Sequence, residues 1–234
     1  MWREVPDQKA LEAETAELIM RGFSKPNWHE AWASGAKFVD RSPVHRFQGR
    51  YIEATVPDFE RRWVQHFREW LFRTFLSDVS VLYEFGAGSA RNLMAWREQF
   101  PDKGAVALDY APSAVALAHK ARFATHLFDF ARPSDLSLSF DGGALTFCAL
   151  EQVADPSAFI DYLRASKIKR VVHVEPIVEW YTDSPFDRLA QDYHLARGYV
   201  RGLPGCLPSV KYERRMGFGS RFHEGYSVIV WEPT

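Results

Sequence analysis

Between residues 79 and 174, short apolar runs alternate with helical patterns, and this alternation leaves few folds open to the chain. The runs span 79–85, 105–108, 126–128, 144–147 and 171–174, and the helical stretches between them span 89–100, 112–122 and 156–165. A strand covered by helices on both faces reads as a near-continuous apolar run rather than an alternating one. The pattern therefore predicts an α/β fold: a Rossmann-like, mostly parallel sheet with helices on both faces. A strong apolar segment at 226–231 and a weaker one at 209–214 predict an antiparallel pair that closes the sheet. The stretch 176–208 contains Pro176, Pro185, Gly198, Gly202, Pro204, Gly205 and Pro208, and reads as an insert with a helix near 184–200. Inserts beyond strand ends commonly form lids or substrate walls.

The first third of the chain reads differently. Residues 7–21 predict a helix, with Asp7 as cap, Leu11, Leu18 and Ile19 as its apolar stripe and Gly22 as its stop. Residues 23–54 read as irregular, punctuated by Pro26, Gly35, Pro43 and Gly49. Residues 56–76 show the strongest helical pattern, with Phe59, Trp63, Val64, Phe67, Trp70, Leu71 and Phe75 on one face. Thr55 and Asp58 resemble a capping box, and Pro57 sits where its missing N–H costs little. The expected division is a helical extension or cap over 1–77 and an α/β unit over 78–234.

The segment from Val81 to Leu93 carries the chemistry. An apolar strand ends in Glu84-Phe85, turns through Gly86-Ala87-Gly88 and enters a helix with Asn92 in its first turn. Gly86 permits the sharp turn, and Gly88 lets a ligand approach the backbone with no Cβ in the way. The second apolar run ends at Asp109, 23 positions after Gly86 (109 − 86 = 23). In nucleotide-binding α/β sheets a carboxylate near this spacing accepts hydrogen bonds from ribose hydroxyls. Tyr110 follows, placed to lie against a base, and the third run is followed by Asp129 and Phe130. All of these sit at the carboxyl ends of strands, where open α/β sheets bind ligands.

With these residues the chain resembles the class I S-adenosylmethionine-dependent methyltransferases over about 78–234. Glu84-Phe85-Gly86-Ala87-Gly88-Ser89-Ala90 is similar to the family's first motif, and Asp109 and Asp129 to the acids that end its second and third strands. Ala149-Leu150-Glu151-Gln152-Val153 looks like the segment after its fourth strand, with Gln152 where the family often has His. The resemblance implies seven strands in the order 3-2-1-4-5-7-6, S-adenosyl-L-methionine as cofactor and methyl transfer as the activity. It implies that Glu84 with the Gly86-Ala87-Gly88 backbone holds the methionine part, Asp109 the ribose, and Tyr110, Asp129 and Phe130 the adenine. Asn92, Ala149 and Leu150 complete the implied cofactor set. Two other readings compete: an NAD(P)-dependent oxidoreductase on a similar sheet, and a non-catalytic, methyltransferase-like partner subunit. A pyrophosphate needs a helix N-terminus without a nearby negative charge. Glu84 would oppose it, but suits an ammonium or a sulfonium.

Methyl transfer rests on alignment of the reacting atoms, and an O- or N-nucleophile can also need a base. His173 and Glu175 share one face if a strand runs from Val171. They read as a base or substrate anchor, or as a hydrogen-bonded pair that braces the strand end. Tyr181, Tyr193, His194 and Arg197 in the insert are candidates for an acceptor pocket, with Tyr193 and Arg197 at i, i+4 on a helix. The alternative is that they dock the insert on the core. Trp28 and Tyr51 can close over the cofactor or simply pack. Cys148 has no evident activating partner.

Composition narrows the partners. Lys and Arg total 29 against 30 for Asp and Glu, a net charge of −1. That gives no basic surplus for a nucleic acid. The 2 cysteines, at 148 and 206, form no CxxC pair, so reduced thiols and a cytoplasmic protein are expected. No stretch approaches the ~20 apolar residues of a membrane span, and the histidines lack metal-ligand spacing, so neither membrane nor metal is expected. Aromatics make up 15 %, and together with the insert they point to a small-molecule acceptor in a covered pocket. O- and N-methylation of sugars, natural products or amino-acid derivatives all fit. A homodimer is compatible with the sequence.

Overall fold

The computed structural model describes residues 1–23, 27–34, 42–133 and 135–233. The chain starts with β1 (Trp2–Glu4), α1 (Gln8–Met20), α2 (Trp28–Ser34), β2 (Val44–Phe47), β3 (Arg50–Ala54) and α3 (Phe59–Leu71). It continues through β4 (Val81–Phe85), α4 (Arg91–Gln99), β5 (Gly104–Asp109), α5 (Pro112–Lys120), β6 (Ala124–Leu127), β7 (Gly143–Phe147), α6 (Ser157–Ser166) and β8 (Arg170–Glu175). It ends with α7 (Pro185–Arg197), α8 (Leu203–Cys206), β9 (Val210–Arg214), β10 (Phe218–Ser220) and β11 (Ser227–Trp231).

The main sheet has seven strands in the order β6-β5-β4-β7-β8-β11-β9. Numbered from β4, this is the 3-2-1-4-5-7-6 order that the resemblance implies. Strands β4 to β8 pair in parallel, and β11 lies antiparallel to both β8 and β9. The parallel strands are apolar because both faces are covered. One face packs Leu82, Leu145, Val172 and Val230 against Phe67, Leu71, Phe72, Leu76 and Trp96. The other packs Phe85, Leu108, Val171, Ile229 and Trp231 with Phe159, Ile160 and Leu163 of α6.

The first face shows that α3, from the N-terminal third, is a layer of the main core. Its helical pattern ends in one wider π turn, Phe72–Leu76, which buries Phe72 and Leu76. Asp7 caps α1 through Ala10 N at 2.9 Å. Asp58 makes no side-chain cap on α3; its carboxylate takes Arg61 and Arg62 instead.

The region read as irregular over 23–54 is the main correction. It contains the hairpin β2–β3, which joins β1 and β10 in a second sheet of order β1-β3-β2-β10. The two-residue turn is Gln48-Gly49, with φ of 48° and 82°. Turns with two positive φ values suit hairpin twist, but Asn-Gly or Asp-Gly is the usual signal, and Gln hides it. The closing partner β10 lies far off in sequence, where no local pattern points to it. Among the described residues, no helix is long and apolar enough to cross a membrane.

Candidate active site

A cleft of about 1210 Å³ lies at the carboxyl ends of β4, β5 and β7, walled by α2, α3 and the start of α4. At its base is Glu84, next to last in β4 and buried. Asn92 Nδ2 donates to Glu84 Oε1 at 2.5 Å, and Arg68 Nε donates to Asn92 Oδ1 at 2.5 Å. Glu84 Oε2 has no hydrogen-bond partner. Burial pushes the Glu84 carboxyl up to about 8, against the pull of Asn92 and Arg68.

The loop after β4 holds Gly86 at φ +74° and Gly88 at φ +54°. A Cβ on Gly86 would come 2.3 Å from Ala149 Cβ, and one on Gly88 would come 2.3 Å from Trp32 Cζ2. Both positions are glycine because of backbone conformation and close approach together. The loop amides are taken up by the end of β5. Gly86 N and Ala87 N donate to Leu108 O at 2.7 and 3.0 Å, and Gly88 N donates to Asp109 Oδ2 at 2.9 Å. Asp109, buried at the end of β5, also accepts from Ala111 N at 2.9 Å. Tyr110 stands 52 % exposed beside it, with its hydroxyl hydrogen-bonded to the Trp28 backbone. Asp129 accepts from Ala131 N, and Phe130 is buried beneath it.

Helix α2 lies over this part of the cleft. Ser113, in the first turn of α5, donates to His29 O at 2.7 Å, and both Trp28 and Trp32 line the cleft. Tyr51 does not; it is fully buried against Phe186.

The opposite wall is α3. Glu60, Val64 and Arg68 recur every four residues and face the cleft together with Phe59. Phe147 and Cys148, at the end of β7, and Tyr226, just before β11, face them. The Tyr226 hydroxyl donates to Glu60 Oε1 at 2.8 Å. Glu60, Arg68 and Tyr226 escaped the sequence reading, although Glu60 and Arg68 flank Val64 at i, i+4 spacing on an otherwise apolar face.

Of the residues singled out from the sequence, Glu84, Gly86, Ala87, Gly88, Asn92, Asp109, Tyr110, Asp129, Phe130, Ala149 and Arg197 line the cleft. Leu150 does not; it is fully buried. His173 and Glu175 do share a face, but it points into the sheet interior, and both are fully buried outside the cleft. Trp231 Nε1 donates to His173 Nε2 at 3.0 Å, so the neutral ring carries its proton on Nδ1 and gives it to Thr146 Oγ1 at 2.9 Å. The Thr146 hydroxyl is in turn hydrogen-bonded to Glu175. Glu175 accepts from the amides of Ala149, Leu150 and Glu151 at 3.0–3.2 Å. Burial pushes it up to about 7 and drives His173 down to about 3. This pair braces the loop after β7 from inside the sheet.

The insert candidates divide similarly. Tyr181 is buried and accepts from Glu224 N at 2.9 Å. Tyr193 stacks on Phe222 with ring centroids 5.1 Å apart, and His194 lies buried between Tyr181 and Tyr199. These three dock the insert on the core, and Arg197 alone reaches the cleft. Among the described residues, no group of three or more His, Cys, Asp or Glu side chains is placed to hold a metal ion.

No protein-family model matches the chain, and no curated protein matches it. Solved structures do. A chain of the complex between the Haloferax volcanii Trm112 methyltransferase activator and a methyltransferase is similar at TM-score 0.60 and 12 % identity, over 90 % of this chain and 99 % of that one. The N,N-8-amino-8-demethyl-D-riboflavin dimethyltransferase of Streptomyces davawensis gives 0.54 and 17 %, over 75 % of this chain and 56 % of that one. The chain has the class I S-adenosylmethionine-dependent methyltransferase fold. An O-methyltransferase of Planctomyces limnophilus, solved with apigenin, shares this fold at 0.51 and 13 %, over 77 % of this chain and 63 % of that one.

Proposed function

We propose that this protein is an S-adenosylmethionine-dependent methyltransferase acting on the O or N atom of a small-molecule acceptor. The observation that carries the reading is Glu84: a buried carboxyl at the glycine turn, lining the cleft, with one oxygen unpartnered. A buried acceptor without a donor is costly, and a cationic ligand removes that cost. Glu84, Gly86 and Gly88 line the cleft together, next to Asp109 and Tyr110, so the residues present fit the cofactor. The Asp109 carboxylate at the end of β5 suits ribose hydroxyls, and Tyr110, Asp129 and Phe130 suit a base. When bound, S-adenosylmethionine supplies an electrophilic methyl group on a sulfonium.

This chain's own residues do the rest. Phe59, Val64, Phe147 and Tyr226 form an apolar wall that holds a small acceptor and excludes water. The Glu60–Tyr226 pair can take a proton from an acceptor hydroxyl or amine. A nicotinamide dinucleotide fits poorly, because the Gly86, Ala87 and Gly88 amides that would bind its pyrophosphate are committed to Leu108 and Asp109.

The test is calorimetric titration with S-adenosylhomocysteine, with NADH as comparison. S-adenosylhomocysteine alone should bind, and Asp109→Ala should weaken it by ~1–3 kcal/mol, the scale for losing partners to a charged acceptor. Binding of NADH alone, or of neither ligand, overturns the reading.

A further inference from the structure

Arg68 carries a charge that the protein leaves without a counterion. Its Nε donates to Asn92 Oδ1, while neither Nη nitrogen has a hydrogen-bond partner among the described residues. It makes no ion pair among them either, although Glu84 lies just beyond Asn92. Burial disfavours its charge, and Glu84 favours it. The Arg68 guanidinium and the Glu84 carboxyl both line the cleft, and they are held apart by one amide. Asn92 gives its oxygen to Arg68 and its nitrogen to Glu84, so its two ends keep the guanidinium and the carboxyl apart instead of letting them pair directly.

A ligand that satisfies both must show an anion and a cation close together. An α-amino acid head does so on a single carbon. A guanidinium whose Nε is already anchored still presents N–H groups in a planar fork, which suits a carboxylate. We propose that Arg68, positioned by Asn92, binds the α-carboxylate of the cofactor's amino-acid head while Glu84 takes its α-ammonium. The inference rests on the methyltransferase reading above and deepens it. It makes α3, from the N-terminal third, part of the cofactor site, and it makes the site selective for an intact amino-acid head over a decarboxylated one.

The test compares three ligands by calorimetry: S-adenosylhomocysteine, its decarboxylated analogue 5′-deoxy-5′-(3-aminopropylthio)adenosine, and 5′-methylthioadenosine, which lacks the head entirely. The wild-type protein should bind S-adenosylhomocysteine at least about tenfold more tightly than the decarboxylated analogue, the scale of one charge-assisted hydrogen bond. Arg68→Gln should remove that gap and leave methylthioadenosine within about twofold, which the same hydrogen-bond scale treats as no change. Arg68→Lys keeps the charge but loses the fork, and should keep part of the gap; it serves if the glutamine variant does not fold. An unchanged gap in both variants overturns the proposal and turns Arg68 toward the acceptor. An equal loss for all three ligands overturns it too, because it marks a structural role. Failure of the wild-type protein to bind any of them overturns the methyltransferase reading itself.

Discussion

Glu84 and Glu175 are both buried carboxyls at strand ends, and their surroundings separate their roles. Glu175 is saturated by backbone amides from Ala149, Leu150 and Glu151, whereas Glu84, in the cleft lining, keeps one buried oxygen without a partner. Strand alternation placed His173 and Glu175 on one face correctly, but it says nothing about whether that face meets solvent or Trp231. Glu175→Gln replaces one accepting oxygen by a donor and should cost ~1–3 kcal/mol of stability. A fall in Tm would show this, whereas an unchanged Tm with lost turnover would restore a catalytic role. Glu84 predicts a pH effect. Burial raises it to about 8, so it holds a proton at pH 7 in the free protein. A cationic ligand favours the carboxylate, so binding should expel a proton at pH 7. Affinity should therefore rise with pH by up to about tenfold per unit and level off above pH 8. Titration of S-adenosylhomocysteine in two buffers of different ionisation enthalpy measures the proton count, and no release would mean that Glu84 is already ionised.

Helix α2 sets the constraint on the glycine loop. The Trp32 ring fills the space that a Cβ on Gly88 would need, at 2.3 Å, while the φ of +54° is itself costly for other residues. Gly88→Ala should therefore lower Tm and weaken S-adenosylhomocysteine binding. Adding Trp32→Ala should recover part of the Tm loss, because it relieves the clash and leaves the backbone cost. Equal Tm values for the single and double variants would show that Trp32 does not press on the loop. The glycines were legible as a tight turn between strand and helix, but the helix covering them was not. Its seven residues are too few for a periodic pattern, and its contacts to Ser113 and Gly88 are distant in sequence. The insert shows the converse. Its helix was legible near 184–200 and runs over Pro185–Arg197, yet the Tyr193 and His194 side chains turn into the core rather than the cleft. Residue type cannot distinguish an aromatic that docks an element from one that lines a pocket.

Across the whole molecule, a buried charge cluster ties the N-terminal hairpin to the insert and the C-terminal segment. Arg46, fully buried on β2, donates to Asp187 Oδ1 at 3.2 Å and lies 3.4 Å over the Phe186 ring. Arg215 donates to Asp187 at 2.6 and 3.0 Å, and to Glu224 at 2.5 and 3.0 Å. Two cations then balance two anions. Arg46→Met leaves one negative charge in excess and should cost ~3–5 kcal/mol, the scale for breaking a buried pair. Urea denaturation measures it, and a loss below ~1 kcal/mol, the scale of exposed pairs, would show that solvent reaches the cluster. The parallel strands and the glycine turn between β4 and α4 were readable from the chain alone, because apolar runs and turn residues are local consequences of burial on both sheet faces, whereas the strand order followed only from the family resemblance. The second sheet, the Arg68–Asn92–Glu84 relay, the Glu60–Tyr226 pair and the docking of the insert were not. Each depends on contacts between separate elements, and these partnerships exist only once the core has packed those elements together.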